Sequence, residues 1–113
     1  ERTIEFYTDV LGFSIHRRIE VDDPPVNSVT YLSLGDATVE IVSVDNPQAA
    51  YQASWMIGYR QIALKVEDME EALAYLKEKG IEPENGPVDQ GEWVAVHITD
   101  PDGLRIELKQ QKN

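Results

Sequence analysis

Gly35-Asp36-Ala37-Thr38-Val39-Glu40-Ile41-Val42 returns near the end of the chain as Asp102-Gly103-Leu104-Arg105-Ile106-Glu107-Leu108-Lys109. A glutamate holds the same place in both copies, and Glu40 and Glu107 stand 67 residues apart. The helical stretches follow nearly the same offset: Ile4, Tyr7 and Leu11-Gly12-Phe13 answer to Ala72, Tyr75 and Lys79-Gly80-Ile81. A self-similar period of that length in 113 residues predicts two copies of one supersecondary unit, the first incomplete.

Around the repeat, local patterns place the other elements. Ile4, Tyr7 and Leu11, with Phe6 and Val10 beside them, have the spacing of an amphipathic helix, and Gly12 sits where a C-terminal cap belongs. Phe13–Glu20 reads as a strand broken by Asp22-Asp23-Pro24-Pro25, followed by strands at Ser28–Leu34 and Thr38–Val44 around a Gly35-Asp36 turn. Gln61–Val66 is a strand, and Asp68 caps a helix over Met69–Lys79 that buries Ala72, Leu73, Leu76 and Tyr75 and closes at Gly80. A short strand is expected at Ile81–Glu82. Trp93–Thr99 and Leu104–Lys109 follow, joined through Asp100-Pro101-Asp102-Gly103.

These elements predict one α+β domain over 1–113, with a first module at 1–45, a connector at 46–57 and a second module at 58–113. The second module reads β-α-β-β-β and the first α-β-β-β. A strand equivalent to Gln61–Val66 is therefore expected ahead of Glu1, within a missing stretch of roughly ten to twenty residues.

Composition narrows the function classes. Ten Lys and Arg against 21 Asp and Glu leave a formal charge of −11, a surface that repels phosphate backbones and anionic lipid. Nucleic-acid and membrane partners are not expected; metal ions, basic molecules or simple solubility are. With no cysteine there are no disulfides, thiolate metal sites or cysteine nucleophiles. No signal-peptide or membrane-spanning pattern is present, so a cytoplasmic location is expected.

Alternation assigns faces to the candidates. If Val39 and Ile41 meet the helix, Glu40 and Thr38 take the other face; Ile106 and Leu108 likewise send Glu107 and Arg105 there. Gln61, Ala63 and Lys65 share that face, as do Ala95, His97 and Thr99. Glu40, Gln61, Glu107 and His97 are thus expected to converge.

With Phe6-Tyr7-Thr8-Asp9-Val10-Leu11-Gly12-Phe13, Asp100-Pro101-Asp102-Gly103-Leu104-Arg105-Ile106-Glu107-Leu108 and Gly58-Tyr59-Arg60-Gln61-Ile62-Ala63-Leu64-Lys65-Val66-Glu67-Asp68 in view, the chain resembles the glyoxalase/bleomycin-resistance/dioxygenase (vicinal oxygen chelate) superfamily. The resemblance covers essentially the whole chain and is nearest in pattern to glyoxalase I-like, lactoylglutathione lyase-like proteins. It implies two βαβββ modules curled into a cup, commonly in a homodimer, with a metal or small-molecule ligand inside.

The resemblance also implies roles for particular residues. Glu40, Gln61 and Glu107 would be metal ligands, with a fourth ligand on the strand expected ahead of Glu1. The ion would be divalent, Ni, Co, Zn or Mn, with Mg also compatible. Gln61 departs from the commoner His, and its alternative is a polar lining residue. Glu107 would be the base of an isomerase or lyase of glyoxalase I type, moving a proton between two carbons through a metal-chelated enediolate. Extradiol dioxygenase chemistry, which wants two His and one Glu, is disfavoured by Gln61.

Substrate contacts are assigned to His97, Arg105, Trp93 and Tyr59, with Trp55 as a further aromatic wall. Each has a plainer alternative. His97 is otherwise a packing or hydrogen-bonding residue, and the aromatics otherwise belong to core or interface; His16, Arg17 and Arg18 read as surface. The competing functions are a metal-free, bleomycin-resistance-like protein that sequesters a cationic or aromatic ligand, and a cup kept only for dimerisation.

Overall fold

A computed structural model describes residues 1–49, 57–59 and 61–112. Trp55, most of the connector and Arg60 lie outside the described residues. The chain forms two compact units, Glu1–Ala49 and Ala50–Asn113.

The first unit opens with α1 (Arg2–Glu5), which runs into a π-helical turn over Phe6–Val10. The Leu11 N–H donates to the Phe6 carbonyl at 3.2 Å, five residues back, so one extra residue enters the turn. Thr3, Phe6 and Tyr7 are buried, while Ile4, Val10 and Leu11 of the expected apolar face are half-buried. Gly12, at φ 81°, reverses the chain, and the Phe13 N–H reaches the Tyr7 carbonyl at 2.9 Å. Tyr7 then packs edge-on between Phe6 and Phe13, with centroids 5.8 and 5.5 Å away.

Three antiparallel strands follow in the order β1-β2-β3: β1 (Ser14–Asp23), β2 (Val26–Leu34) and β3 (Ala37–Val44). β1 runs past its expected end at Glu20 to Asp23, and the Pro24-Pro25 part of the expected break, whose peptide is cis, ends it. His16 is the extra residue of a bulge between Ile15 and Arg17, which leaves it unpaired and exposed. Ser28, Thr30 and Leu32 are buried on one face of β2, and their cross-strand neighbours Ile41 and Val39 are half-buried. Glu40 takes the opposite face, beside Tyr31, and is exposed.

The second unit is a four-stranded sheet in the order β4-β7-β6-β5, made of β4 (Gln61–Lys65), β5 (Val88–Asp89), β6 (Trp93–Thr99) and β7 (Arg105–Gln111). β4 runs parallel to β7 and the other pairs are antiparallel, so a crossover must separate β4 from its partner. α2 (Met69–Glu78) lies in that crossover. Its buried stripe is Met69, Ala72, Leu73 and Leu76, at the 3, 4 and 7 spacing; Tyr75 falls off that stripe and is exposed, under the Lys79 ammonium.

The ends of α2 follow from single residues. Asp68 accepts from the Glu71 N–H at 3.1 Å. At the other end Gly80 N–H bonds to Lys77 and Ile81 N–H to Leu76, at 3.1 and 2.8 Å, with Gly80 at φ 74°. This is a Schellman closure. It takes up the Ile81 N–H, and the short strand expected at Ile81–Glu82 forms at Val88–Asp89 instead. Asp68→Ala is expected to cost about 1 kcal/mol of stability, measurable by urea unfolding, because one N-terminal N–H loses its acceptor.

The central rows of the second sheet are Ile62–Ile106–Ile98 and Leu64–Leu108–Val96 on one face, and Gln61–Arg105–Thr99 and Ala63–Glu107–His97 on the other. Ala95, Val96, His97 and Ile98 are all buried, so β6 is covered on both faces.

Candidate functional site

The second unit's polar face is built around a buried carboxylate. Glu107 and His97 are only 8% and 7% exposed. They are direct cross-strand partners, and His97 Nε2 lies 3.0 Å from Glu107 Oε2. Gln90 Nε2 donates to the same oxygen at 3.3 Å. The other oxygen, Oε1, has Lys109 Nζ at 3.7 Å, an ionic contact longer than a hydrogen bond. Lys109 in turn lies over the Trp93 ring, 4.9 Å from its centroid.

A short polar loop secures His97. Beyond the end of β5 the edge of β6 would be bare; Glu84 N–H donates to the His97 carbonyl at 2.8 Å and His97 N–H donates to Asn85 Oδ1 at 3.2 Å. Asn85 Nδ2 stands 3.4 Å from His97 Nδ1. The strand rung thus continues through a side chain.

One row along, Arg105 Nε donates to Glu84 Oε2 at 3.1 Å, and the Thr99 hydroxyl donates to Glu84 Oε1. The Thr99 hydrogen bond, with Arg105 assisting, holds the Glu84 carboxyl below the usual carboxylate range. A depressed carboxylate pKa contributes stability that is present above its unfolded value and lost as pH falls through the folded one. Thr99→Val is therefore expected to move Glu84 back up toward the ordinary range and to weaken its acid-side contribution. A carbon-13 pH titration of the carboxyl checks this.

The residues singled out in the sequence fall into distinct positions. Glu107 and His97 touch, and Gln61 shares their sheet face, one row along beside Arg105. Arg105 is engaged by Glu84, and Trp93 lies under Lys109. Tyr59 is 98% exposed. Glu40 belongs to the first unit. Arg18 is held by Glu20 at 2.9 Å and Glu1 at 3.2 Å, which raises its pKa. Sequence reasoning passed over Glu84, Asn85, Gln90 and Lys109. The first three sit in a Pro/Gly/Asn-rich connection whose composition signals only a loop.

Two donors on this sheet face, a carboxylate and a side-chain amide, are of types that a divalent first-row ion takes, while both nitrogens of His97 are engaged by Glu107 and Asn85. Glu107 Oε1 and the Gln61 amide are the donors that His97 and Gln90 leave unengaged among the described residues. No group of three His, Asp or Glu comes together among them.

The chain is 31% identical to lactoylglutathione lyase of Escherichia coli O157:H7 over 116 aligned residues, covering all of this chain and 85% of that protein. Among solved structures it superposes on a glyoxalase family protein from Enterococcus faecalis with TM-score 0.84 and 32% identity, covering 96% of this chain and 87% of the other. Leishmania major glyoxalase I, described as trypanothione-dependent, gives TM-score 0.73 and 25% identity over 96% of this chain and 76% of its own. The family model for the Glyoxalase/Bleomycin resistance protein/Dioxygenase superfamily matches residues 1–108, and this chain belongs to that superfamily.

Proposed function

We propose that the protein is a metal-dependent isomerase or lyase of glyoxalase I type, with Glu107 as its base. One observation carries this reading: a buried carboxylate, anchored through one oxygen, keeps its second oxygen out of every hydrogen bond among the described residues. Likeness over the whole of this chain and 85% of lactoylglutathione lyase supports the same substrate class, a hemithioacetal formed from a thiol and an α-oxoaldehyde.

The Glu107 carboxylate would take the proton from the carbon bearing sulfur and hydroxyl, and deliver it to the neighbouring carbonyl carbon. The hydroxyl proton moves to the neighbouring oxygen, and the product is a 2-hydroxy thioester. Atoms and electrons balance within the substrate, so no redox partner is required. When bound, a divalent ion (Ni, Co, Zn or Mn) supplies Lewis-acid polarisation of two adjacent oxygens, and Glu40, Gln61 and Glu107 are the residues that would hold it. Burial of Glu107 keeps bulk water from competing for the proton. The same reading carries a cytoplasmic homodimer, which sedimentation of the purified protein checks for assembly.

A second reading has its own support. Glu107 Oε2 is already taken by His97 and Gln90, and Gln61 is a neutral ligand where a stronger one is common. This favours a metal-free protein that binds a small cationic or aromatic molecule. One experiment separates the two. Protein loaded with Ni, Co, Zn or Mn is expected to retain metal through desalting and to convert the methylglyoxal–glutathione hemithioacetal to a thioester, with loss of activity on chelation. Failure to retain any of these ions, with no thioester formed, overturns the enzyme reading in favour of the binder.

A further inference from the structure

We propose that His97 is a positioning residue that locks Glu107 by one oxygen, so that Oε2 is the anchor and Oε1 the working atom of the carboxylate. The proposal deepens the reading of Glu107 as a base and rests on it.

The argument runs through the loop side chain Asn85. Its orientation is determined by a backbone group: the His97 N–H needs an acceptor, and Asn85 Oδ1 provides it at 3.2 Å. The amide nitrogen must then be the atom that faces His97 Nδ1, at 3.4 Å. An NH2 group donates, so Nδ1 accepts and the ring carries its proton on Nε2. Nε2–H points at Glu107 Oε2, 3.0 Å away, and donates to it.

Gln90 adds a second donor to the same oxygen, at 3.3 Å. Among the described residues, two hydrogen-bond donors on Oε2 and none on Oε1 make the carboxylate asymmetric, and hydrogen bonds to the charged form hold its rotamer. Lys109 Nζ, 3.7 Å from Oε1, adds charge on that side without occupying the oxygen. A base must meet its proton within a few tenths of an ångström, and a side chain with three rotatable bonds does not hold that position unaided. His97, buried and tied at backbone and ring by one asparagine, supplies the restraint.

The test combines a ring-proton measurement with kinetics on the full-length protein. His16→Gln removes the only other histidine, and long-range proton–nitrogen NMR then reports which nitrogen of His97 carries hydrogen. The expected result is hydrogen on Nε2 and none on Nδ1. In turnover of the methylglyoxal–glutathione hemithioacetal, His97→Phe is expected to lower kcat by about 10²-fold through misplacement of the base. KM should stay within about twofold, since both ring nitrogens of His97 are engaged by Glu107 and Asn85 and not by a substrate. His97→Gln, whose amide N–H can reach Oε2, should recover most of the loss. A proton on Nδ1 overturns the proposal, as does unchanged kcat in His97→Phe or an equal defect in His97→Gln with an intact circular dichroism spectrum. An inactive wild type overturns instead the reading of Glu107 as a base, and the positioning role falls with it.

Discussion

Glu107→Gln is expected to reduce kcat on the hemithioacetal by about 10³-fold, within the range that loss of a positioned general base costs. The substitution is close to isosteric. Its amide oxygen can still accept from His97 Nε2 and Gln90, so the buried contacts at 3.0 and 3.3 Å keep an acceptor. The negative charge and the basicity are lost, and with them the anionic ligand that Glu107 would offer a metal ion. KM should therefore change far less than kcat, and the melting temperature should move little. Steady-state kinetics beside a thermal melt makes the comparison. Equal activity in wild type and Glu107→Gln would sink the assignment of the base. Glu107→Ala is less informative, because it leaves His97 and Gln90 without an acceptor at a buried site, which costs about 1–3 kcal/mol and confuses catalysis with folding.

Ile106→Ala is expected to lower stability by about 2–5 kcal/mol. Ile106 is fully buried near the start of β7, between Ile62 of β4 and Ile98 of β6, and Ile98 is fully buried too. Truncation removes apolar area from a buried row of the sheet and leaves a cavity that neighbours held in two ladders cannot close. It should also disturb the site on the other face, since Glu107 is the next residue along. Urea unfolding with an unchanged m-value measures the effect. A loss below about 1 kcal/mol would show that the sheet collapses around the gap, contrary to the packing described.

Much of this architecture was legible in the chain. The alternation in Arg105-Ile106-Glu107-Leu108 put Glu107 opposite the apolar rows, and the same period put His97, Gln61 and Arg105 on its side of the sheet. Asp68 and Gly80 marked the limits of α2 through their backbone chemistry. Where reading failed, a local rule was displaced. The extra residue of the π turn at Phe6–Val10 was not legible, because the apolar spacing there does not distinguish a bond five residues back from one four back. The strand expected at Ile81–Glu82 lost its N–H to a helix closure.

The sequence by itself determined the repeat, the α+β character and the face on which each acidic side chain stands, because side-chain direction along a strand follows from a period of two residues. Only the tertiary structure decided that His97 faces Glu107 across the β6–β7 ladder, and that Asn85 and Gln90 come to them from a loop. Register between strands depends on turn geometry, and the Asp100-Pro101-Asp102-Gly103 connection sets it through Asp100 Oδ1, which accepts from the Asp102 and Leu104 N–H groups at 2.9 Å. A shift of one residue there would have sent His97 and Glu107 to different neighbours with no change in either residue's own pattern.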